Sequence, residues 1–263
     1  VGKILHKILS VITARKGSKG LPGKNHRLLY GVPLVAWSIF HSIRCRDIGL
    51  TVVSSNCEHV KHVVSTIQSE MLLPGQYMDS KYSNIFNFSN PDFGQLKFIQ
   101  RPEKFATDTS PNEEALIHAY RIAKSELGFE ADIIINLQPT SPIRGQNLLH
   151  DCIHKFLESG ADSLFTVSIH TPFFVHKDGH NNIVNERSKL FDRPMRQSLQ
   201  EKDFFLHDCG NIYITSRESL LSTNNRIGKN FVVIPVTVLE SMQIDTILDF
   251  QIIDFLFQEG LIE

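Results

Sequence analysis

Neither sign of charge is in excess in this sequence: Lys plus Arg number 27 and Asp plus Glu 28. Long nucleic acids and anionic membranes usually select a basic surplus, so no nucleic acid and no membrane is expected as a partner. Cysteine is scarce. Cys45, Cys57, Cys152 and Cys209 are the whole set and no two form a CxxC pair. A chain of 263 residues has core enough to fold without a disulfide frame, so a reducing compartment is expected. No apolar run approaches a membrane span. The opening "VGKILHKILSVITA" resembles a leader segment only until His6 and Lys7 interrupt it. A cytoplasmic protein is the expectation. Internal repeats and low-complexity tracts are also missing.

What remains is an ordinary globular composition, 41% hydrophobic and 21% charged. Apolar β-branched runs alternate with helical patterns. "KILSVITA", "GLTVVSS", "LKFIQ" and "ADIIINLQ" read as strands, the last as the middle of a parallel sheet. "PLVAWSIFHSIRC", with Pro33 at its start, and "EHVKHVVSTIQSE" read as helices. "SPNEEALIHAYRIAKSE" predicts a helix with Ser110 as N-cap, Pro111 at the first position and Glu113 at the third. "GNIYITS" and "FVVIPVTV" resume the sheet, and "TILDFQIIDFLFQEG" closes it as an amphipathic helix. The alternation predicts an α/β fold, an open and mostly parallel sheet with helices on both faces. One domain covers residues 1–263. Two segments break the rhythm. Residues 71–95 form an insertion too rich in Tyr and Phe for a disordered linker. Residues 170–207 hold a hairpin around "HKDGHNN" and then "RPMRQSLQ", a protruding arm rather than a sheet strand.

The loop behind the first strand carries the chemistry. "ITARKGSKGLPGKN" holds Gly17, Gly20 and Gly23 among Arg15, Lys19 and Lys24. In an open α/β sheet, ligands sit at the carboxyl ends of the strands. Glycines there let backbone N–H groups approach a phosphate, and the cations follow its charge. The loop is not a Walker A motif: five residues separate Gly17 from Gly23, and Asn25 stands where a hydroxyl would meet magnesium. GxGxxG is absent too. A small polyanion is the expected ligand.

On "ARKGSKGLPGKN", "GVPLVAWSI", "RPEKFATDTS", "NLQPTSPIR" and "IDTILDF", in this order along nearly the whole chain, the sequence resembles the cytidylyltransferases that make CMP-sialic acid and related CMP-nonulosonates. The resemblance implies a nucleotide-diphospho-sugar transferase-like, Rossmann-like fold with a dimerisation arm at 170–207, hence a homodimer. It implies CTP and a nine-carbon 2-keto-3-deoxy sugar acid as substrates, with Mg2+ as cofactor. Arg15, Lys19 and Lys24 would hold the phosphates. Asn25 and Arg101 would position the nucleotide, and the segment around Thr109, Ser110 and Asn112 would read the cytosine. Gln138, Arg196 and Tyr213 match sugar-binding positions, and Asp245 a metal ligand. Beside these stand plainer readings. Asp108 orients the loop, Asp249 forms a capping box with Thr246, and His150 and His154 lie on a solvated helix face.

The chain also departs from the family pattern. Gln243 takes the first position of the usual Asp-Ile-Asp-Thr, and as an amide could supply only a neutral metal ligand. "HDCGNIY" puts His207 and Cys209 where an Arg and an Asn are usual. "DCGNIY" is closer to branches handling pseudaminic or legionaminic acid, while "GLPGKN" and "QPTSP" lean toward the sialic and legionaminic side. A catalytically weak nucleotide-sugar-binding or regulatory protein on the same fold is the alternative function.

Overall fold

A computed structural model describes residues 6–71, 93–173, 175–180, 183–184 and 193–262. The chain opens with strand β1 (Ile8–Thr13), a small ladder of β2 (Leu28–Leu29) and β3 (Val32–Pro33), and helix α1 (Leu34–Ile43). Then come β4 (Leu50–Ser55), α2 (Glu58–Glu70), β5 (Leu96–Gln100), α3 (Asn112–Ser125), β6 (Ile133–Leu137) and α4 (Leu148–Ser159). The second half holds β7 (Ser163–His170), the short pair β8 (His176–Lys177) and β9 (Ile183–Val184), and β10 (Phe205–Ser216). Helix α5 (Arg217–Thr223), β11 (Phe231–Pro235) and α6 (Ile247–Gln258) complete it.

Seven strands form one sheet in the order β11-β7-β10-β6-β1-β4-β5. All neighbours are parallel except β10, which runs antiparallel to both β6 and β7. The expected α/β architecture is therefore present. Period-two alternation splits the central strands between two cores. Ile8, Ile12 and Val53 face one with Trp37 and Phe257, while Leu9, Val11 and Val52 face the other with Leu116 and Tyr120. Full burial of each such side chain stabilises by about 1.5–3 kcal/mol, which is why both faces of the central strands read as apolar.

Strand β7, within "ADSLFTVSIH", is the one strand of the main sheet absent from the expected set; the short β2 and β3 and helix α5 are absent from it too. Ser163, Thr166 and Ser168 dilute its apolar run, yet all three are buried and hydrogen-bonded within the sheet region. The helix predicted from Ser110 starts later than expected. Pro111 is the N-cap and no side chain caps it. Ser110 Oγ instead donates to the Lys104 carbonyl at 2.9 Å, and Glu113 pairs with Arg226 at 2.8 Å. Tertiary partners took both members of the expected cap. The capping box of Thr246 and Asp249 on α6 is formed as expected.

The expected hairpin around "HKDGHNN" is the antiparallel pair β8–β9. Residues 205–207, assigned to the arm, belong to the main sheet: Phe205, Leu206 and His207 pair with His170, Ile169 and Ser168. Within the insertion expected at about 71–95, residues 72–92 lie outside the described ones, as do 174, 181–182 and 185–192 of the arm. Among the described residues, no helix is long and apolar enough to cross a membrane.

Candidate active site

Because β1, β4, β5 and β6 are parallel, the residues that follow them gather at one edge of the sheet. A cleft of about 290 Å³ lies there. Its walls include Arg15 behind β1, Arg101 behind β5 and Gln138 behind β6, together with Lys24, Asn25, Ser110 and Asn112. Seven of the residues singled out from the sequence thus meet in one cleft. Thr13, Ser18, Phe105, Thr107 and Thr140 join them. These five escaped the sequence reading, although each lies within a quoted motif. Four of the five carry small hydroxyls, and Phe105 offered no such signal.

The first loop is tied down at several points. Asn25 Nδ2 donates to the Arg15 carbonyl at 2.9 Å, and Lys16 N donates to Asn56 Oδ1 at 2.8 Å. Lys24 is nearly buried, with Nζ donating to the Ile244 carbonyl at 2.7 Å and pairing with Asp245 Oδ1 at 3.1 Å. The loop therefore rests on the segment just before α6. Gly20 marks how closely: a Cβ there would lie 2.3 Å from the Asp245 carbonyl oxygen. Gly23 takes a positive φ of 68°. Gly17 needs neither property, since a Cβ would meet nothing within 4 Å. Of the three loop glycines, two are geometrically required.

Arg15 Nη1 and Lys19 Nζ converge on one carboxylate, Asp108, at 2.7 and 2.8 Å. The hydrogen bond from Lys19, then that from Arg15, holds the Asp108 carboxyl below its usual range. Asp108 does orient the loop, as expected. Lys19 itself is 80% exposed and stands outside the cleft wall. Arg101 is the opposite case. It is 4% exposed, with Nε donating to Ser54 Oγ at 3.2 Å and Nη2 to the Ser54 carbonyl. Burial, with the nearby charge of Arg15, brings its pKa down to about 10. Among the described residues no carboxylate pairs with it. A buried cation without a counter-charge is costly and is stabilised by any anion that enters the cleft. Arg101 is thus not the surface arginine that its place before Pro102 suggests in isolation.

Asn112 and Gln138 are held by the sheet. Asn112 Nδ2 donates to Asn136 Oδ1 at 2.8 Å, and Asn136 Nδ2 to the Val11 carbonyl at 3.1 Å. The Gln138 carbonyl accepts from Arg144 Nη2 at 3.0 Å and from Ser38 Oγ at 3.2 Å. Buried Arg144 also donates to the Asn211 carbonyl at 3.1 Å, binding the turn after β6 to β10. Burial alone brings Arg144 down to about 9. The sequence reading quoted this arginine within "NLQPTSPIR" but gave it no role.

The remaining residues are arranged less simply. Thr109 is exposed and lies beside the cleft rather than on its wall; its Oγ1 is 3.3 Å from that of Thr107. Gln243 and Asp245 flank buried Ile244, whose N–H donates to the Thr140 carbonyl at 2.8 Å. Gln243 Nε2 donates to the Cys209 carbonyl. The segment passes over Gly210, at φ +68° in a β-bulge of β10, where a Cβ would collide with Gln243 Nε2 and crowd Gln138 Oε1. Cys209 is buried and its Sγ lies 3.4 Å from Thr166 Oγ1, inside the sheet. It does not line the cleft.

Tyr213 is 3% exposed and also off the cleft wall. Its hydroxyl donates to Asp208, with both carboxylate oxygens at 2.8 Å, and its ring lies under Arg226 at 4.3 Å. Burial raises its pKa, partly offset by Arg226. Arg196 sits on an exposed 3-10 turn, Arg196–Ser198, away from the cleft. So the cleft gathers the residues assigned to phosphates and nucleotide, with Lys19 and Thr109 at its margin. Of the three assigned to the sugar, it gathers Gln138 alone.

Three comparisons with known proteins bear on this geometry. A family profile described as "Cytidylyltransferase" matches residues 9–76, which span β1, the basic loop and α2. The chain is 30% identical to the CMP-N,N'-diacetyllegionaminic acid synthase of Legionella pneumophila, over 97% of this chain and 100% of that one. It is 26% identical to post-translational flagellin modification protein B of Campylobacter coli, over 97% of each. Among solved structures, a CMP:2-keto-3-deoxy-manno-octonic acid synthetase complexed with CTP shares the fold. It has a TM-score of 0.62 at 16% identity and covers 97% of this chain and 99% of that one.

Proposed function

The chain belongs to the cytidylyltransferase family, and on that premise we propose that it transfers CMP from CTP to a sialic acid-like nonulosonic acid, an N-acylneuraminate, legionaminate or pseudaminate. The sugar's anomeric hydroxyl oxygen bonds to the α-phosphorus of CTP. The bond from that phosphorus to the bridging oxygen breaks, pyrophosphate leaves, and the hydroxyl proton is released. The observation that carries this reading is the meeting of Arg15, Lys24 and Arg101 in one cleft at the carboxyl edge of the sheet. Phosphoryl transfer asks mainly for fixed positive charge around developing oxyanions.

Each cation has a distinct part. Arg101, buried and lacking a carboxylate partner among the described residues, meets a phosphate oxygen without rearranging. Arg15 and Lys19 already converge on one anionic group, Asp108. A triphosphate brings more charge than that carboxylate and draws both side chains over. Lys24 holds the loop against the Asp245 segment and lends its charge to the same wall. Asn25 keeps the loop's shape. Ser110, Asn112 and the segment at exposed Thr109 address the cytosine edge.

Mg2+ is the proposed cofactor. The donor set fits it: Asp245 offers a carboxylate that is 67% exposed beside the loop, and Gln243 offers an amide oxygen nearby, since its Nε2 is the group bound to Cys209. Magnesium typically takes one or two carboxylates and completes its shell with substrate phosphates and water. When bound, it neutralises phosphate charge. Gln138 is assigned to the sugar. Tyr213 acts by fixing Asp208, and Arg196 belongs to the arm between β7 and β10, which we assign to a homodimer contact. Free cysteines among the described residues suit a cytoplasmic enzyme.

The test is pyrophosphate release from CTP and Mg2+ against a panel of 2-keto-3-deoxy acids. Release with at least one nine-carbon acid, and with CTP ahead of UTP, ATP and GTP, is expected. Equal turnover of UTP overturns the cytosine assignment, because a site that hydrogen-bonds one base edge leaves groups unpaired on the wrong base.

A further inference from the structure

A second cluster of ligand-type side chains lies away from the cleft. The turn after α1 brings Asp47 against the first turns of α4, where His150 and His154 share a face. His150 Nδ1 lies 2.6 Å from Asp47 Oδ2, and His154 Nε2 lies 3.8 Å from Asp47 Oδ1. The two imidazole centroids are 4.1 Å apart. One ligand atom from each of the three residues falls within 4.8 Å of the others. Cys45 adds a thiol 3.8 Å from Asp47 Oδ2. A cleft of about 330 Å³ opens beside the cluster.

A solvated helix face with one His–Asp pair accounts for His150. It does not account for His154, which addresses the other oxygen of the same carboxylate. The partners missing from the helical register are supplied by the α1–β4 turn, which no local pattern on α4 reveals. We propose that Asp47, His150 and His154 form a binding site for a transition-metal dication of the zinc class, distinct from the magnesium-type site beside the main cleft. Zinc bonds to imidazole nitrogen and carboxylate oxygen are about 2.0–2.2 Å, so neighbouring ligand atoms stand roughly 3.3–3.6 Å apart. The observed spacings bracket that range, and His150, 55% exposed, has room to turn. Two imidazoles with one carboxylate are borderline donors that favour zinc, cobalt, nickel or copper over magnesium and calcium. The side facing the cleft leaves a fourth position for water or for Cys45.

Arg44 and Arg46 line the same cleft. Arg44 directs its Nη2 at the carbonyls of Gly145 and Gln146. This contact also indicates what the site holds. Residues 138–140 line the main cleft, and 145–147 lead straight into α4. A metal joining Asp47 to α4 clamps the far end of that segment to the turn after α1.

The experiment uses the full chain with Zn2+ competed against a chromogenic chelator, and Co2+ as a spectroscopic probe. The expected result is one equivalent of Zn2+ that survives a large excess of Mg2+, and Co2+ bands of four- or five-coordinate intensity. In His150→Ala/His154→Ala, and separately in Asp47→Asn, affinity is expected to fall by more than the roughly 10–100-fold typical of losing an outer-shell partner. All three side chains are at least partly exposed, and circular dichroism checks that the variants are folded. Zinc held equally well by the variants, zinc displaced by Mg2+, or a weak octahedral cobalt spectrum overturns the proposal. Because binding is the readout, failure here leaves the cytidylyl-transfer reading untouched, and the reverse holds too.

Discussion

The two sides of the sheet's carboxyl edge are built differently. On the β1–β4–β5–β6 side, Arg15, Arg101 and Gln138 follow directly behind parallel strands and meet in one cleft. On the β10–β7 side, Cys209 turns into the sheet, Tyr213 binds Asp208, and Arg196 stands out on the arm. A residue behind a parallel strand inherits its position from the sheet. A residue within an antiparallel, bulged strand faces whichever side the bulge selects. The cation side therefore gathers its side chains in one cleft, and the other side does not.

The strongest test of this contrast is Lys19→Ala. With its side chain 80% exposed, the thermal midpoint should not move. Turnover of CTP should fall about a hundredfold, the usual cost of removing one group that stabilises transition-state charge. A near-normal rate in steady-state pyrophosphate release removes Lys19 from the cation set.

Tyr213→Phe probes the other side. The hydroxyl is engaged with Asp208, so we expect the loss as stability, about 1.5–3 kcal/mol for a hydrogen bond to a charged group. The KM for CTP should stay unchanged. A raised KM for the sugar acid with unaltered stability would instead put the hydroxyl on the substrate.

His41 gives a pH signature. It is 3% exposed, and burial, then Arg144 and Arg44, depresses its pKa well below 6.5. The folded state holds it neutral while the unfolded chain takes up a proton. The stability is therefore present above pH 6.5 and lost as pH falls toward the folded-state pKa. The slope is at most about 1.4 kcal/mol per pH unit for one proton. Denaturant titrations from pH 7.5 to about 5, with chelator present, should show this slope. His41→Gln should flatten it.

Gln243→Asp carries the smallest expected change. An added carboxylate near Asp245 should lower the magnesium needed for half-maximal rate and leave the saturated rate nearly unaltered. Gln243 and Asp245 have separate anchors, Cys209 and Lys24, so the effect should stay below that of a chelating pair. No shift in magnesium dependence would count against Asp245 as a ligand.

Much of this was legible in the sequence. "EHVKHVVSTIQSE" and "LKFIQ" are α2 and β5 to the residue, because strong periodicity met no competing tertiary demand. The Thr246–Asp249 cap was legible because both partners lie within one turn. Ser110 and Glu113 show the limit: the same local pattern was outbid by Lys104 and Arg226, the latter 113 residues from Glu113. The buried state of Arg101, the convergence on Asp108 and the inward turn of Cys209 depend on contacts that cross the sheet. No window of neighbouring residues contains them.

Lys24 meets Asp245 across 221 residues of chain. A ribosome adding about 5–20 residues per second takes roughly 10–45 s to bridge that gap. For that interval the basic loop is made but has nothing to rest on, while most of the sheet's strands have already been synthesised. The carbonyl and carboxylate that close it follow every strand of the main sheet. A product cut short before Ile244 can keep all seven strands and still leave its first motif open. The seat of the basic loop therefore waits on residues made more than two hundred positions after it.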